Sequence, residues 1–83
     1  AVGERLPRLS LEELREQTAK ALDELEHFRS AECAGRVEDM LAHELPEEAE
    51  KRLSQIREQL KLYEDDNAEE LLRQLLGILE KEE

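Results

Sequence analysis

Apolar residues recur along most of this chain at alternating steps of three and four, the period of an amphipathic α-helix. Ser10 and Glu13 precede the first such run with the spacing of a capping box, in which each residue bonds the backbone N–H of the other. The pattern predicts a first helix over about residues 11–29. Its expected buried positions are Leu11, Leu14, Thr18, Ala21 or Leu22, Leu25 and Phe28.

Three further periodic runs follow, each with its own start signal. Ser30 is a suitable N-cap for the second helix, and Pro46 ends that helix and favours the start of the third. Asp66 and Glu69 have the capping-box spacing at the start of the fourth. The predicted helices span about residues 11–29, 31–44, 46–64 and 67–81. The expected buried positions of the last three are Cys33, Ala34, Val37, Met40, Leu41, Ala49, Leu53, Ile56, Leu60, Tyr63, Ala68, Leu71, Leu72, Leu75, Leu76 and Leu79.

The connections between these helices are only a few residues long, so consecutive helices are expected to run antiparallel. The prediction is an all-α fold, an antiparallel up-and-down four-helix bundle of residues 10–83 built from two helical hairpins. Residues 1–9 contain Gly3 and Pro7 and show no helical period. We interpret them as a linker from a longer parent chain.

The two predicted hairpins match when the sequence is shifted by 35 residues. In each half, an aromatic residue comes just before the turn and a small residue just after it. We expect the rings of Phe28 and Tyr63 to close the hairpins, because the facing residues, Cys33 and Ala68, are small enough to accept them. The matching pairs are Leu25–Leu60, Phe28–Tyr63, Cys33–Ala68, Val37–Leu72, Met40–Leu75 and Leu41–Leu76.

Charge restricts the partners that this chain is expected to bind. It carries 12 basic and 23 acidic side chains, for a net charge of −11. That field repels the phosphates of nucleic acids and anionic lipid headgroups, so neither nucleic acid nor a membrane is expected as a partner. The sequence shows no signal-peptide or membrane-span pattern, and its single cysteine cannot form an internal disulfide. The expected location is cytoplasmic.

Few residues could support catalysis or bind a metal. A metal site needs three or four converging ligands, and a Cys–His nucleophile pair needs hydrogen-bond contact and an oxyanion site. Cys33 and His27 are not at a one-turn spacing, and the chain lacks glycine-rich turns. We therefore expect no enzyme activity, no metal and no cofactor, with Cys33 as a core residue and His27 at the surface.

The third predicted helix carries a cluster of basic side chains on an otherwise acidic protein, namely Lys51, Arg52, Arg57 and Lys61. These residues either pair with neighbouring glutamates or dock an acidic partner. The pairing interpretation is favoured, because exposed ion pairs of this kind are common. Leu62 and Leu45 fall outside the apolar stripes and are expected to face solvent near one end, where together with Ile78 they could form a docking patch.

His43 is the remaining candidate for chemistry. The sequence "HEL" followed by "PE" partly matches the His-x-Leu-Lys-Gly phosphoacceptor signature of histidine phosphotransfer domains. That chemistry needs an imidazole in the middle of a helix, a basic residue three positions on and a small residue four positions on. Pro46 and Glu47 occupy those positions. Proline ends the helix, and glutamate adds bulk and the wrong charge, so phosphotransfer is not the favoured role.

Residues 21–76 resemble the small helical domain at the C-terminal end of some bacterial multidomain two-component proteins. The shared pattern is a helix ending in an acidic-aromatic turn, a short helix, "LPEE", and a second hairpin ending in "AEELL". The resemblance implies a phosphotransfer-like bundle that lies beside receiver or histidine kinase domains.

With the phosphoacceptor motif incomplete, the resemblance predicts a degenerate, non-catalytic interaction or spacer module of a bacterial two-component signalling protein. Its expected partner is another protein or another domain of its own chain, and its expected state is a monomer or weak homodimer. The alternative is an active histidine phosphotransfer domain that uses His43.

Overall fold

Four α-helices joined by short connections form this protein in a computed structural model that describes residues 5–81. They are α1 (Leu11–Glu26), α2 (Ser30–Leu41), α3 (Glu47–Lys61) and α4 (Asp65–Lys81). Residues 1–4 of the predicted linker and residues 82–83 lie outside the described part. Between residues 5 and 81 the structure contains no strand, only an isolated bridge between Leu6 and His43. The all-α prediction is confirmed, and the arrangement is consistent with a four-helix bundle.

The helices enclose one hydrophobic core. Helix α1 packs against α2 and α4, and α3 packs against the same two helices. The molecule measures 32 × 32 × 17 Å along its principal axes. Because each helix buries one apolar stripe, the polar faces are left to the solvent. The buried apolar residues are Leu14, Ala21, Leu25, Cys33, Val37, Met40, Leu45, Ala49, Leu53, Ile56, Leu60, Ala68, Leu72, Leu75 and Leu79.

The start of α1 has the predicted capping box. The Ser10 hydroxyl accepts a hydrogen bond from the Glu13 backbone N–H, and the Glu13 carboxylate accepts one from the Ser10 N–H, both at 3.1 Å. The other two predicted caps are wrong. Ser30 is the first residue of α2 and Arg29 is its N-cap, while Asp66 lies inside α4, which begins at Asp65. Each of these helices starts one or two residues earlier than the side-chain pattern indicated.

The C-terminal ends of α1 and α3 have the same backbone geometry. Phe28 donates its N–H to the carbonyl of Leu25 at 3.1 Å, and Tyr63 donates its N–H to that of Leu60 at 3.1 Å. The following residues, Arg29 and Glu64, donate to the carbonyls of Glu24 at 2.8 Å and Gln59 at 2.9 Å. This pair of bonds is the Schellman motif, which satisfies the last carbonyls of a helix. Helices α1 and α3 therefore end at Glu26 and Lys61, each three residues before the predicted end at residue 29 or 64.

The Schellman motif requires a left-handed backbone at its central residue, a position that glycine usually occupies. Here the residues are aromatic, with φ of 62° at Phe28 and 58° at Tyr63. Their side chains are 96% and 91% exposed. The prediction that these rings close the hairpins is wrong, because the backbone closes each turn and the left-handed residue projects its side chain into solvent.

The other five pairs of the 35-residue repeat have matching burial. Cys33 and Ala68 are both fully buried, as predicted, while Met40 and Leu75 are each 1% exposed. Leu25 and Leu60 lie at the edge of the core, at 5% and 8% exposure. The repeat therefore describes equivalent positions in the two halves of the fold.

The two leucines expected at the surface have different environments. Leu62 is 60% exposed, which confirms the prediction. Leu45 is 5% exposed, so the prediction that it faces solvent is wrong. It lies in the connection between α2 and α3, where no helical period applies, and it packs into the core.

Residues 5–8 lie against that same connection. Leu6 donates its N–H to the Ala42 carbonyl and accepts from the Glu44 N–H, both at 3.0 Å. Arg5 forms an ion pair with Glu50 of α3. These contacts fix the chain that enters α1 beside the start of α3.

Arg36 of α2 forms a partly buried polar contact with α1. Its guanidinium donates two hydrogen bonds to the Glu24 carboxylate, at 2.8 and 3.0 Å, and a third to the Gln17 side-chain oxygen at 2.7 Å. The side chain of Arg36 is 28% exposed and that of Glu24 is 15% exposed. The hydrogen bonds from Arg36 hold the pKa of Glu24 below its ordinary value. Planar, two-point contacts of this kind fix the relative position of two helices.

Candidate interaction surface

His43 lies beyond the end of α2, in the connection to α3, and is half-buried. Its Nδ1 lies 2.8 Å from the carbonyl oxygen of Pro7, and since a carbonyl can only accept, Nδ1 carries the proton. The groove beside His43 is lined by the carboxylates of Glu13, Glu16 and Asp39. Those carboxylates repel a phosphoryl group, and the position is not the middle of a helix.

The four basic residues of α3 do not form one continuous strip. Arg52 pairs with Glu48 at 2.6 Å, and Arg57 lies 3.7 Å from Glu38 of α2. The two arginines are five residues apart, so their side chains leave the helix about 140° apart. Acidic neighbours on both arginines favour the pairing interpretation over docking of an acidic partner. Lys51 and Lys61 are exposed and pair with no carboxylate among residues 5–81.

Cys33 and His27 lie in different environments, one buried and the other exposed. The thiol of Cys33 is fully buried, and burial raises its pKa to about 11. It is therefore protonated and unreactive at neutral pH. The His27 ring is exposed, and its Nδ1 lies 2.7 Å from the carbonyl of Asp23 one helical turn earlier. Within the described residues no group of three or more His, Cys, Asp or Glu side chains could hold a metal ion.

Three large apolar side chains, those of Phe28, Leu62 and Tyr63, are strongly exposed near the two hairpin turns. We name these three residues the aromatic end. Phe28 and Tyr63 are the only Phe, Tyr or Trp residues of the chain. Aromatic side chains are normally the largest contributors to a core, yet both lie outside it. Leu62 adds a third exposed apolar side chain directly before Tyr63. A small domain thus presents its largest apolar side chains to solvent.

A groove of about 500 Å³ lies between the C-terminal end of α1 and the first turn of α4. Phe28 lines it from the α1 side, and Asp65 and Asp66 line it from the first turn of α4. The turn that follows α1 therefore lies beside the start of α4. Arg73 also lines the groove, where it pairs with Glu26 at 3.0 Å and with Glu69.

The aromatic end is strongly acidic. Segments 23–29 and 61–66 together hold six carboxylates and two permanent cations. Glu64, Asp65 and Asp66 have no cationic partner within residues 5–81. Asp65 and Asp66 also lie in the first turn of α4, where negative charge offsets the positive end of the helix dipole. Of these six carboxylates, Glu64, Asp65 and Asp66 are thus left without a cation to pair with in the described chain.

Sequence reasoning assigned these aromatics to the core and did not identify them as a surface. The available signal was the absence of glycine at both helix ends. Glycine usually occupies the left-handed position that follows a helix end, so its absence from both turns indicates an exceptional residue there. The 35-residue repeat places this exception in both turns.

Comparison with known proteins gives no relative: no family model, curated protein or solved structure matches the chain. Among residues 5–81, no helix has both the length and the apolar composition needed to cross a bilayer.

Proposed function

We propose that this chain is a non-catalytic helical module that binds a protein partner through the aromatic end. The observation that carries the proposal is the exposure of Phe28 and Tyr63 on left-handed backbone in both hairpin turns. A non-glycine residue pays about 1 to 2 kcal/mol for that conformation, and exposed rings recover little of it by packing. Strained, exposed residues are concentrated at binding sites, where the partner supplies the missing contacts.

The proposed arrangement of the helices is an antiparallel up-and-down bundle of two hairpins. It is supported by connections of only three residues between α1 and α2 and between α3 and α4. The groove between Phe28 and the first turn of α4 further supports it, because it brings the end of α1 beside the start of α4. Both aromatic turns then belong to one end of the bundle, which makes them available to a single partner.

The setting that we propose is bacterial two-component signalling, in the cytoplasm. This part of the proposal rests on the resemblance of residues 21–76 to the C-terminal helical domains of such proteins. The partner is then a receiver domain, a kinase domain or another domain of the same chain, and the module acts as a degenerate phosphotransfer-like bundle. Mutual repulsion at a net charge of −11 supports a monomer or at most a weak homodimer.

Active phosphotransfer through His43 is the alternative to a non-catalytic role. The three carboxylates beside His43 favour the non-catalytic proposal. Incubation with a phosphorylated receiver domain, followed by detection of acid-labile phosphate, distinguishes the two. We expect no transfer, and transfer that disappears in His43→Gln would contradict the proposal.

Site-specific photocrosslinking in the native host tests the interaction role directly. Benzoylphenylalanine at position 28 or 63 keeps an exposed aromatic side chain, while the same residue at the exposed position Gln55 of α3 provides the control. We expect a discrete crosslinked protein from positions 28 and 63 and none from position 55. Absence of any product from 28 and 63, or the same products from all three positions, would contradict the proposal.

A further inference from the structure

The groove at the aromatic end has a chemical composition that selects the kind of segment it binds. Phe28 forms an apolar wall, and the carboxylates of Asp65 and Asp66 face it across the groove without a cationic partner in the described chain. Arg73 also lines the groove, but its ion pairs are with Glu26 and Glu69 and not with Asp65 or Asp66.

We infer that the aromatic end binds a basic segment of a partner protein, with an arginine or lysine side chain in the groove between Phe28 and the first turn of α4. This inference rests on the proposed interaction function and adds the chemistry of the partner. A cation over an aromatic face is attracted by the ring, and a nearby carboxylate supplies a charge-assisted hydrogen bond. The exposed Tyr63 and Leu62 extend the contact to apolar side chains that flank the basic residue.

Charge also argues against the other classes of occupant. A second copy of the chain brings a further −11 charge. Nucleic acids and anionic bilayers present the same sign of charge and are repelled. A segment rich in arginine or lysine is complementary to this surface, and its approach is accelerated by the field of the whole molecule.

A defined probe separates this site from general attraction to an acidic protein. The probe is a short synthetic peptide of arginine, leucine and serine, and its control carries citrulline, a neutral isostere, in place of arginine. Binding is measured by calorimetry, and its location by the amide chemical shifts of the 83-residue chain. Salt is held at about 0.15 M so that distant charges are screened.

Three double variants complete the test. Phe28→Gly with Tyr63→Gly removes both rings without changing the charge. Asp65→Asn with Asp66→Asn removes two charges at the groove. Glu12→Gln with Glu47→Gln removes two charges from the first turns of α1 and α3 and so matches the second variant in net charge and helix position.

We expect the arginine peptide to shift the amides of residues 26–29 and 62–69, and the citrulline peptide to bind at least about tenfold more weakly. The first two variants should lose at least about tenfold in affinity, while the control variant stays within about twofold. Equal losses in both charge variants, undiminished binding without the rings, shifts at another face or no binding of the arginine peptide would each overturn the inference. If the peptide fails while crosslinking at positions 28 and 63 succeeds, the partner chemistry is wrong and the interaction function stands. If both fail, the proposed function fails as well.

Discussion

Phe28 and Tyr63 show how a single residue conformation can reverse a prediction from periodicity. Both fall on the apolar stripe of their helices when the 3.6-residue period is continued. Their left-handed φ values end the helix and turn the side chain away from the stripe. Periodicity holds only while the helix continues, so it misplaces the first residues beyond the end.

The sequence predicts the burial of Cys33 correctly, because the residue lies within α2, where the helical period applies. Its burial has a measurable consequence at alkaline pH. The folded pKa is about 11, while an exposed thiol in the unfolded chain titrates near about 8.5. The unfolded state therefore loses the proton first, so folding stability is unaffected below about pH 8.5 and falls as the pH rises toward 11.

We predict that wild type loses about 2 to 3 kcal/mol of stability relative to Cys33→Ala between pH 8 and pH 11. Alanine is the residue at the equivalent buried position of the second hairpin, Ala68, so the variant is expected to fold. Urea unfolding of both proteins across this range gives the difference. If the stabilities of wild type and Cys33→Ala changed equally with pH, the prediction would be wrong, and the Cys33 thiol would have to be hydrated in the folded state.

At the scale of the elements, the sequence was most informative about where helices lie and least informative about where they end. The Ser10–Glu13 capping box was readable because both partners are local. The contact between Arg36 and Glu24 joins different helices, and nothing in the linear pattern specifies it. Leu45 is a similar case, because its burial depends on how α2 and α3 are connected.

The Arg36 contact predicts a specific weakening of the pairing between α1 and α2. Arg36→Met keeps the apolar stem and removes the guanidinium, and we expect a loss of about 1 to 2 kcal/mol at pH 7. Arg73→Met is the control, since its ion pairs are more exposed, and we expect a clearly smaller loss of stability than for Arg36→Met.

The folding stabilities of wild type and Arg36→Met should also respond differently to acid pH. Because Arg36 lowers the pKa of Glu24, the contribution of that carboxylate is present above about pH 4.3 and is lost as the pH falls through the lower folded pKa. Urea unfolding should therefore show that the deficit of Arg36→Met narrows in acid. A deficit that does not change between neutral and acid pH would mean that Arg36 contributes through packing alone.

At the scale of the whole molecule, the candidate site emerges only when the two hairpins are assembled. The sequence predicted the fold class, and the 35-residue repeat identified equivalent positions in its two halves. It did not indicate that Phe28 lies across a groove from Asp65 and Asp66, since these residues are distant in the chain. Assembly also brings the exposed Phe28 beside the acidic first turn of α4, which is part of the basis of the proposed binding role.

We propose that Phe28 and Tyr63 serve binding at a cost to folding. The free energy of urea unfolding of the Phe28→Gly, Tyr63→Gly double variant tests it most directly. Glycine adopts the left-handed conformation without strain, and removal of rings that are 96% and 91% exposed gives up almost no packing. Relief of strain at two positions contributes about 2 to 4 kcal/mol, and the greater freedom of two glycines in the unfolded chain offsets about 1 to 2 kcal/mol of it. We therefore predict that the variant is more stable than wild type by about 1 to 2 kcal/mol. A variant less stable than wild type would show that the rings contribute to the fold, which would contradict the claim.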